Sequence, residues 1–333
     1  MSDDPRIGSR IADRFDILAL VAEGATGRIY RAHQADMNRT VAIKLLHANL
    51  GDNPEVKARF QRELRATTRI EHANTVRVYE YGELEDGEWF LAMEHLEGAT
   101  LADAIVDQPH FPAERAVHIS RQIASALAAA HAEKILHRDL KPENIILMDR
   151  YGQRDFVKVV DFGLAKISDD EQNSKATVTL SEMRVGTPTY MAPEYVATFL
   201  YEPRSDLYAL GVILYEMLTG EPPFTGRPYE ILEKHVNTPP EPLSTLRPDL
   251  PESLVTIVHK LLEKKPEQRY TSAESLANVL ERNWARLTTL PPSVPIRASS
   301  KPNVLRPMLP VLGLLTGMLL GFLCAGGIVL LWR

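Results

Sequence analysis

His-Arg-Asp-Leu-Lys-Pro-Glu-Asn, at residues 137–144, is the most specific run in this 333-residue chain. Seven of these eight residues are polar or turn-forming, and they follow an Ala-rich amphipathic segment at 112–134, so they do not help to build an apolar core. Twenty-two residues after Asp139, the motif Asp-Phe-Gly at 161–163 places a carboxylate directly after an apolar strand at 156–160. Either motif alone is a weak signal, but their ordered pairing is not expected by chance and indicates function.

The chain differs in character on the two sides of this run. Residues 12–94 carry five alternating or β-branched runs and one helix, whose start is marked by Asn53 as N-cap and Pro54 as first residue. Residues 97–284 are mainly helical, and the segment 206–218 is apolar nearly all round, which predicts a helix buried inside its lobe. A polar, Gly- and Thr-rich stretch at 161–194 is too long for a simple connection, so it is a candidate functional loop.

Three features that precede residue 137 in the sequence have ordinary structural explanations when each is taken alone. The glycine-bearing turn at 23–29 suits a β-hairpin, Lys44 suits an exposed edge strand, and Glu63 suits a solvated helix margin. Taken together, the three features allow a different interpretation, in which they form a binding site for a polyanion. Glycine lets backbone N–H groups approach phosphate oxygens, while Glu63 would hold Lys44 against the phosphates.

With these motifs in one order, residues 12–284 resemble the protein kinase superfamily, specifically the bacterial eukaryotic-like (Hanks-type) Ser/Thr protein kinases. The resemblance implies an α+β, bilobal protein kinase fold, with a small β-rich N-lobe at 12–94 that contains one key helix and a large helical C-lobe at 97–284. It also implies transfer of the γ-phosphate of ATP to Ser/Thr hydroxyls of proteins, with Mg²⁺, or Mn²⁺ in its place, as the metal ion.

The resemblance assigns the chemistry to four residues. Asp139 is expected to accept or orient the proton of the acceptor hydroxyl, and Lys141 to steady the γ-phosphate, as in the Ser/Thr branch of the family. Asn144 and Asp161 are the expected Mg²⁺ ligands.

The resemblance also assigns a nucleotide site. Met93 would be the gatekeeper, and Glu94 and Leu96 would offer hinge backbone groups to adenine. The chain departs from the family at Ala22, which stands where the first glycine of the phosphate-covering loop is expected, and this predicts modest ATP affinity. The positions that match nucleotide-binding residues are Ala22, Glu23, Gly24, Gly27, Ile29, Lys44, Glu63, Glu94, Leu96, Asn144 and Asp161.

Further motifs continue the resemblance downstream. The run Gly-Thr-Pro-Thr-Tyr-Met-Ala-Pro-Glu at 186–194 looks like the end of a Ser/Thr-kinase activation segment. Asp206 and Gly211 match the buried-helix motif that anchors the catalytic loop, and Arg269 matches the late arginine that pairs with Glu194.

An arginine before the catalytic aspartate, Arg138, is typical of kinases whose activation segment is ordered by phosphorylation, because a phosphate can pair with it. The candidate phosphorylation sites are Thr177, Thr179 and Ser181, with Thr177 or Thr179 favoured for autophosphorylation. The alternative is that this Ser/Thr-rich loop is simply polar.

Two other functions share the fold. A pseudokinase would use it as a scaffold, but Lys44, Asp139, Asn144 and Asp161 are all filled, and only Ala22 favours this reading. A small-molecule kinase is disfavoured by the match at 186–194, which builds a peptide-docking surface in Ser/Thr protein kinases.

The composition excludes several classes of protein. A net charge of −6 gives no basic field for nucleic acid, and the single cysteine, Cys324, excludes an intrachain disulfide. The charged first sixteen residues are incompatible with a secretory signal peptide.

The C-terminal part predicts a membrane anchor. After an N-terminal tail at 1–11 and the kinase domain, a Pro-rich juxtamembrane linker at 285–306 leads to 307–332, which contains no charged side chain and exceeds the roughly 20 residues that cross a bilayer. The alternative is a buried core helix. Because three basic residues precede the run and one follows it, we expect a single-pass protein of the cytoplasmic membrane with its kinase domain in the cytoplasm. Gly313, Gly317 and Gly321 would line one helix face, which is compatible with a homodimer.

Overall fold

The computed structural model describes residues 4–24, 27–46, 54–150, 152–163 and 188–289. The helix cap Asn53, the phosphorylation candidates Thr177, Thr179 and Ser181, and the apolar run 307–332 with its three glycines lie outside these ranges. In the part that is described, no helix is both long and apolar enough to cross a membrane. The membrane span and the homodimer therefore stay predictions.

The N-terminal part is an antiparallel sheet of six strands in the order β1-β2-β3-β4-β6-β5, with one helix packed on it. The strands are β1 (Arg10–Ile11), β2 (Phe15–Gly24), β3 (Gly27–Gln34), β4 (Arg39–Leu46), β5 (Val78–Glu83) and β6 (Trp89–Glu94), and the helix is α1 (Pro54–Thr67).

Strand β4 shows how side-chain alternation divides this sheet into two faces. On one face its apolar residues join a buried cluster with Phe15 and Phe90. On the other face Leu46 packs with Phe60 and Leu64 of α1, as the four-residue spacing of the helix predicts. The residues of β4 on the first face are Val41, Ile43 and Leu45.

The C-terminal part consists mainly of helices and also contains a small three-stranded sheet in the order β7-β8-β9. Its strands are β7 (Ala99–Thr100), β8 (Ile145–Arg150) and β9 (Gln153–Val159). Its described helices are α2 (Leu101–Asp107), α3 (Ala113–Ala132), α4 (Pro193–Thr198), α5 (Pro203–Thr219), α6 (Pro228–Asn237), α7 (Leu243–Leu246), α8 (Glu252–Leu261) and α9 (Ala273–Thr289), with 3₁₀ turns at Pro142–Asn144, Pro188–Tyr190 and Pro266–Gln268. The predicted bilobal kinase architecture, β-rich before helical, is confirmed.

Helix α5 is the centre of the C-terminal core, as its apolar circumference predicts. Residues 205–215 are buried without interruption, and the helix packs on α3 and α8. Gly211 allows the close approach to α8, because a Cβ at this position would meet the Cβ of Leu261 at 2.6 Å. The helix ends at Gly220, which takes the left-handed conformation that favours glycine.

The limits of the folded part differ slightly from those predicted. Ile11 is buried and pairs with Phe15 across β1 and β2, so the segment 1–11 that was predicted as a tail ends in a strand. A two-residue strand shows no alternation that a sequence could reveal. At the other end, α9 continues to Thr289, past the predicted boundary at 284.

We predict that Gly211→Ala lowers the free energy of unfolding by about 1–3 kcal/mol, because the added methyl group must displace Leu261 in a packed core. Gly24→Ala is the matched control. Among the described residues, no heavy atom outside its chain neighbours lies within 4 Å of a Cβ built there. Urea denaturation of both variants checks the prediction, and equal effects would contradict it.

Candidate active site

Lys44 is a buried cation at the centre of the proposed site. It lies on β4 between Ile29 of β3 and Leu91 of β6, and only 2% of its side chain is exposed. Its ammonium lies 2.7 Å from Oδ1 of Asp161. The chain thus brings together two of the predicted site residues, since a buried ammonium needs a partner of opposite charge.

Glu63 lies half-buried on α1. Asp161 forms an ion pair with Lys44, and the pairing of Lys44 with Glu63 stays a prediction.

The glycine-bearing hairpin is anchored to the strand that carries Lys44. Gly24 of β2 and Gly27 of β3 face each other in register, and Ala22 faces Ile29. Gly27 has φ +147°, and a Cβ there would lie 1.9 Å from the carbonyl oxygen of Leu45. Only glycine therefore fits at position 27, whereas the tip of the hairpin at 25–26 lies outside the described residues.

The 137–144 run places three of the predicted residues in mutual contact. Lys141 Nζ donates to Asp139 Oδ2 at 2.7 Å, and Asn144 Nδ2 donates to the Asp139 carbonyl oxygen at 2.7 Å. Because Asn144 uses its amide N–H groups on Asp139, these bonds leave its amide oxygen available as a ligand. Val160 N–H donates to the Asn144 carbonyl oxygen at 3.0 Å, which joins this run to the residue before Asp161.

Asp206, at the start of α5, holds the beginning of this run. Its carboxylate accepts the backbone N–H groups of His137 and Arg138 at 3.0 and 3.1 Å, a ring N–H of His131 at 2.7 Å, and the Tyr201 hydroxyl at 2.7 Å. Burial alone would raise the pKa of Asp206, but the hydrogen bond and charge of His131, followed by His137, keep that pKa below its usual value. These bonds also retain Arg138 at φ +68°, a left-handed conformation that a non-glycine residue adopts only at a cost.

His137 connects the two functional loops. Its Nε2–H donates to the Val160 carbonyl oxygen at 2.9 Å, and its ring packs 4.8 Å from that of Phe162. Complete burial lowers the pKa of His137, so the ring is neutral at physiological pH. Asp161, which lies between Val160 and Phe162, has φ +64°. The contacts of its two neighbours with His137 hold this backbone conformation.

The proposed adenine contact lies at the end of β6. Met93 is 7% exposed and packs in the cluster formed with α1, and Leu96 packs against the same cluster. The backbone N–H of Glu94 donates to the Arg77 carbonyl oxygen at 2.9 Å. This end of β6 is thereby fixed to the residue that precedes β5.

A second buried ion pair holds the residues after the proposed activation segment. Arg269, whose side chain is fully buried, donates to both oxygens of Glu194 at 2.8 and 2.7 Å, and the Ser205 hydroxyl donates to Glu194 at 2.6 Å. Burial alone would raise the pKa of Glu194, but Arg269 lowers it. The predicted contact of Glu194 with Arg269 is confirmed.

Helices α5 and α6 hold the 3₁₀ turn Pro188–Tyr190. Tyr208 donates its hydroxyl proton to His235 Nδ1 at 2.8 Å, and His235 Nε2–H donates to the Thr189 carbonyl oxygen at 2.9 Å. Burial lowers the pKa of His235 to about 4, so it remains neutral. The Tyr190 hydroxyl donates to Glu216 of α5 at 2.8 Å.

Sequence reasoning named the candidate reactive residues but missed several that support them. His131 and Tyr201 gave no signal, because histidine and tyrosine on amphipathic helices and loops are common. Tyr190 lay inside the recognised 186–194 motif, yet its partner Glu216 reads as an ordinary residue at the end of an apolar helix.

Among the described residues, no group of three or more His, Cys, Asp or Glu side chains forms a metal cluster. The predicted ligands are instead one carboxylate, Asp161, and one amide, Asn144. Oxygen donors of this kind suit Mg²⁺, which keeps several waters and binds phosphate oxygens together with one or two protein ligands. The donor set therefore fits a hard divalent cation.

Comparison with known proteins gives the family. Residues 15–284 match the family model described as protein kinase domain. The chain is 37% identical over 311 residues to serine/threonine-protein kinase pkn3 of Myxococcus xanthus, covering 92% of this chain and 56% of that protein. It is 36% identical over 271 residues to serine/threonine-protein kinase PrkC of Bacillus subtilis, covering 81% of this chain and 40% of that one. The chain thus spans about half, or less, of these relatives.

A solved structure agrees with the fold. The crystal structure of the Mycobacterium tuberculosis PknI kinase domain superposes with a TM-score of 0.63 at 25% identity, covering 83% of this chain and 98% of that one.

We predict that Glu216 makes stability depend on pH near neutrality. Burial, opposed by the hydrogen bond from the Tyr190 hydroxyl and assisted by the nearby charge of Glu143, raises the pKa of Glu216 to about 7. Because the folded form binds this proton more tightly than the unfolded form, the stabilisation is complete below the unfolded pKa of 4.5 and is lost as pH rises through about 7.

Between pH 4.5 and pH 8, the native chain should therefore lose about 2–3 kcal/mol of unfolding free energy relative to Glu216→Gln. Urea denaturation of both proteins across this range measures the difference. Parallel pH profiles for the two proteins would show that Glu216 does not titrate as stated.

Proposed function

This chain belongs to the protein kinase family, and we propose that it transfers the γ-phosphate of ATP to serine and threonine hydroxyls of proteins. The observation that carries the proposal is the arrangement of Lys44, Asp139, Lys141, Asn144 and Asp161. One hydrogen-bonded set joins the last four through the bond between Val160 and Asn144, and Asp161 reaches Lys44. Phosphoryl transfer needs positioning and charge neutralisation more than covalent chemistry, and this set supplies both.

Each side chain has a defined task in this proposal. Asp139 accepts the proton of the acceptor hydroxyl, and Lys141, already 2.7 Å from that carboxylate, neutralises charge on the transferred group. Lys44 holds the phosphates from the β4 side. Asn144 and Asp161 would hold Mg²⁺, which when bound neutralises the negative charge of the phosphate oxygens.

Protein rather than small-molecule acceptors are supported by the residues beyond the proposed activation segment. Residues 188–194 are held by Glu216, His235 and Arg269, so a fixed surface lies next to the catalytic loop. The scaffold alternative has no support, because every charged position of the catalytic set is filled.

We predict that Asp139→Asn lowers the rate of phosphate transfer by about 100-fold or more, because an amide cannot accept the hydroxyl proton. The measurement uses the purified chain with labelled ATP, Mg²⁺ and a generic protein substrate. Asp107→Asn, which changes an exposed carboxylate on α2, is the matched control and should transfer at the native rate. Equal rates for native chain and Asp139→Asn would contradict the proposed role of Asp139.

The same incubation tests autophosphorylation of the activation segment. We propose that Thr177 or Thr179 is the modified residue, with Ser181 as the further candidate, supported by Arg138 next to Asp139. Mass spectrometry should find phosphate in this segment of the native chain and none in the Asp139→Asn chain. An active native chain that leaves this segment unmodified would refute the proposal.

We also propose that the run 307–332 anchors the chain in a membrane, on the support of its length and its lack of charged side chains. Cell fractionation compares the full chain with one that ends at residue 290. The full chain should sediment with membranes and require detergent for release, whereas the shortened chain should stay in the supernatant. Recovery of both in the supernatant would contradict the anchor.

A further inference from the structure

Lys158 is a buried lysine outside the catalytic set. It lies near the end of β9, with only 6% of its side chain exposed. Its ammonium donates to Glu94 Oε1 at 2.5 Å and to the Thr75 carbonyl oxygen at 3.0 Å. The same Glu94 oxygen accepts the backbone N–H of Arg77 at 2.8 Å.

These contacts join three segments that are far apart in the sequence. They are the end of β6 at Glu94, the approach to β5 at 74–77, and β9 at Lys158. Backbone bonds reinforce the junction, since Val76 N–H donates to the Val159 carbonyl oxygen at 2.9 Å and Val159 N–H to the Asn74 carbonyl oxygen at 2.8 Å. Lys158 is the side chain that closes the junction on the Glu94 side.

The junction lies between the two ends of the proposed nucleotide site. Glu94 begins the backbone stretch that is the proposed adenine contact, and Asp161 follows Lys158 by three residues along the chain. Asp161 in turn contacts Lys44 at 2.7 Å. The Lys158–Glu94 pair therefore links the strand at the proposed adenine end to the strand that leads to Asp161 at the proposed phosphate end.

We propose that Lys158 is a positioning residue for nucleotide binding, which fixes the Glu94–Leu96 backbone relative to the strand that presents Asp161. This inference rests on the proposed function. Apolar side chains at both positions could fill the same space, but they would not fix the orientation of residue 94. An ion pair with two further hydrogen bonds does so, because each bond has a preferred length and angle.

The test compares Lys158→Met with Arg115→Met. Arg115 of α3 makes a bidentate pair with Asp155 on the same strand, at 2.9 and 2.8 Å, but at the end of β9 remote from Asp161. Each variant removes one cation and leaves one carboxylate of that pair behind. Calorimetric titration with Mg²⁺-ADP and with adenosine, together with the melting temperature, is recorded for both and for the native chain.

We expect Lys158→Met to weaken the binding of both ligands about tenfold, whereas Arg115→Met stays within about twofold of the native chain. Weaker adenosine binding is the decisive result, because adenosine has no phosphate and reports on the Glu94 end alone. The proposal would be overturned if Lys158→Met kept the native affinities and only its melting temperature fell. The pair would then have a structural role alone.

Two further variants cover the remaining outcomes. If Lys158→Met does not fold, Glu94→Gln keeps both acceptor bonds but removes the charge, and it should weaken adenosine binding about threefold. Native affinity in Glu94→Gln would then overturn the proposal. The double variant Lys158→Met with Glu94→Gln has no unpaired carboxylate, so it should regain melting temperature without regaining affinity.

Recovery of affinity in the double variant would show that the stranded carboxylate, and not the lost positioning, weakened binding. A native chain that binds neither ligand would count against the proposed function itself, so the two failures are distinguishable.

Discussion

The buried carboxylate of Asp206 is the interaction on which the rest of this molecule depends. A charge at the start of a helix that is apolar on every side is costly unless each lone pair is used, and here four donors use them. Two of those donors are consecutive backbone N–H groups of the 137–144 run. The core of the C-terminal part and the geometry of the candidate catalytic residues are therefore held by the same atoms, and Arg138 can keep its unfavourable backbone conformation.

Three other buried ion pairs repeat this arrangement at successive points of the site. Lys44 with Asp161, Lys158 with Glu94, and Arg269 with Glu194 each join segments that are more than 60 residues apart. Buried pairs contribute little net stability, because the loss of hydration offsets most of the attraction. Each pair instead fixes one chain segment relative to another, at the proposed phosphate end, the proposed adenine end and the proposed peptide side respectively.

The candidate reactive residues could be named from the sequence because the types and order of such residues are restricted by the proposed chemistry. Asp139, Asn144 and Asp161 follow from motif spacing, and the helix α5 follows from its apolar circumference. The partner of Lys158 could not be predicted in the same way, although the partner of Glu194, Arg269, was. Lys158 in an apolar strand reads as a solvated lysine, and nothing local shows that Glu94, 64 residues earlier, lies beside it. Lys44 contacts Asp161, 117 residues later, and no local pattern shows that these two residues lie together. The two-residue strand β1 was too short to show a pattern.

The pairing of β3 with β4, which begins at Gly27, limits how the turn between these strands can change in length. Strands β3 and β4 are paired without a bulge from Gly27 to Gln34, so Ile29 faces Lys44 and Gly27 faces Leu46. A change in the length of the turn between them that shifted this pairing by one residue would move every side chain of β4 to the opposite face and present Ile43 or Leu45 where the ammonium now lies. Insertions elsewhere on the surface can be absorbed by loops. The four residues 35–38 join these two strands, so the length of this turn is coupled to the face of the sheet on which Lys44 lies.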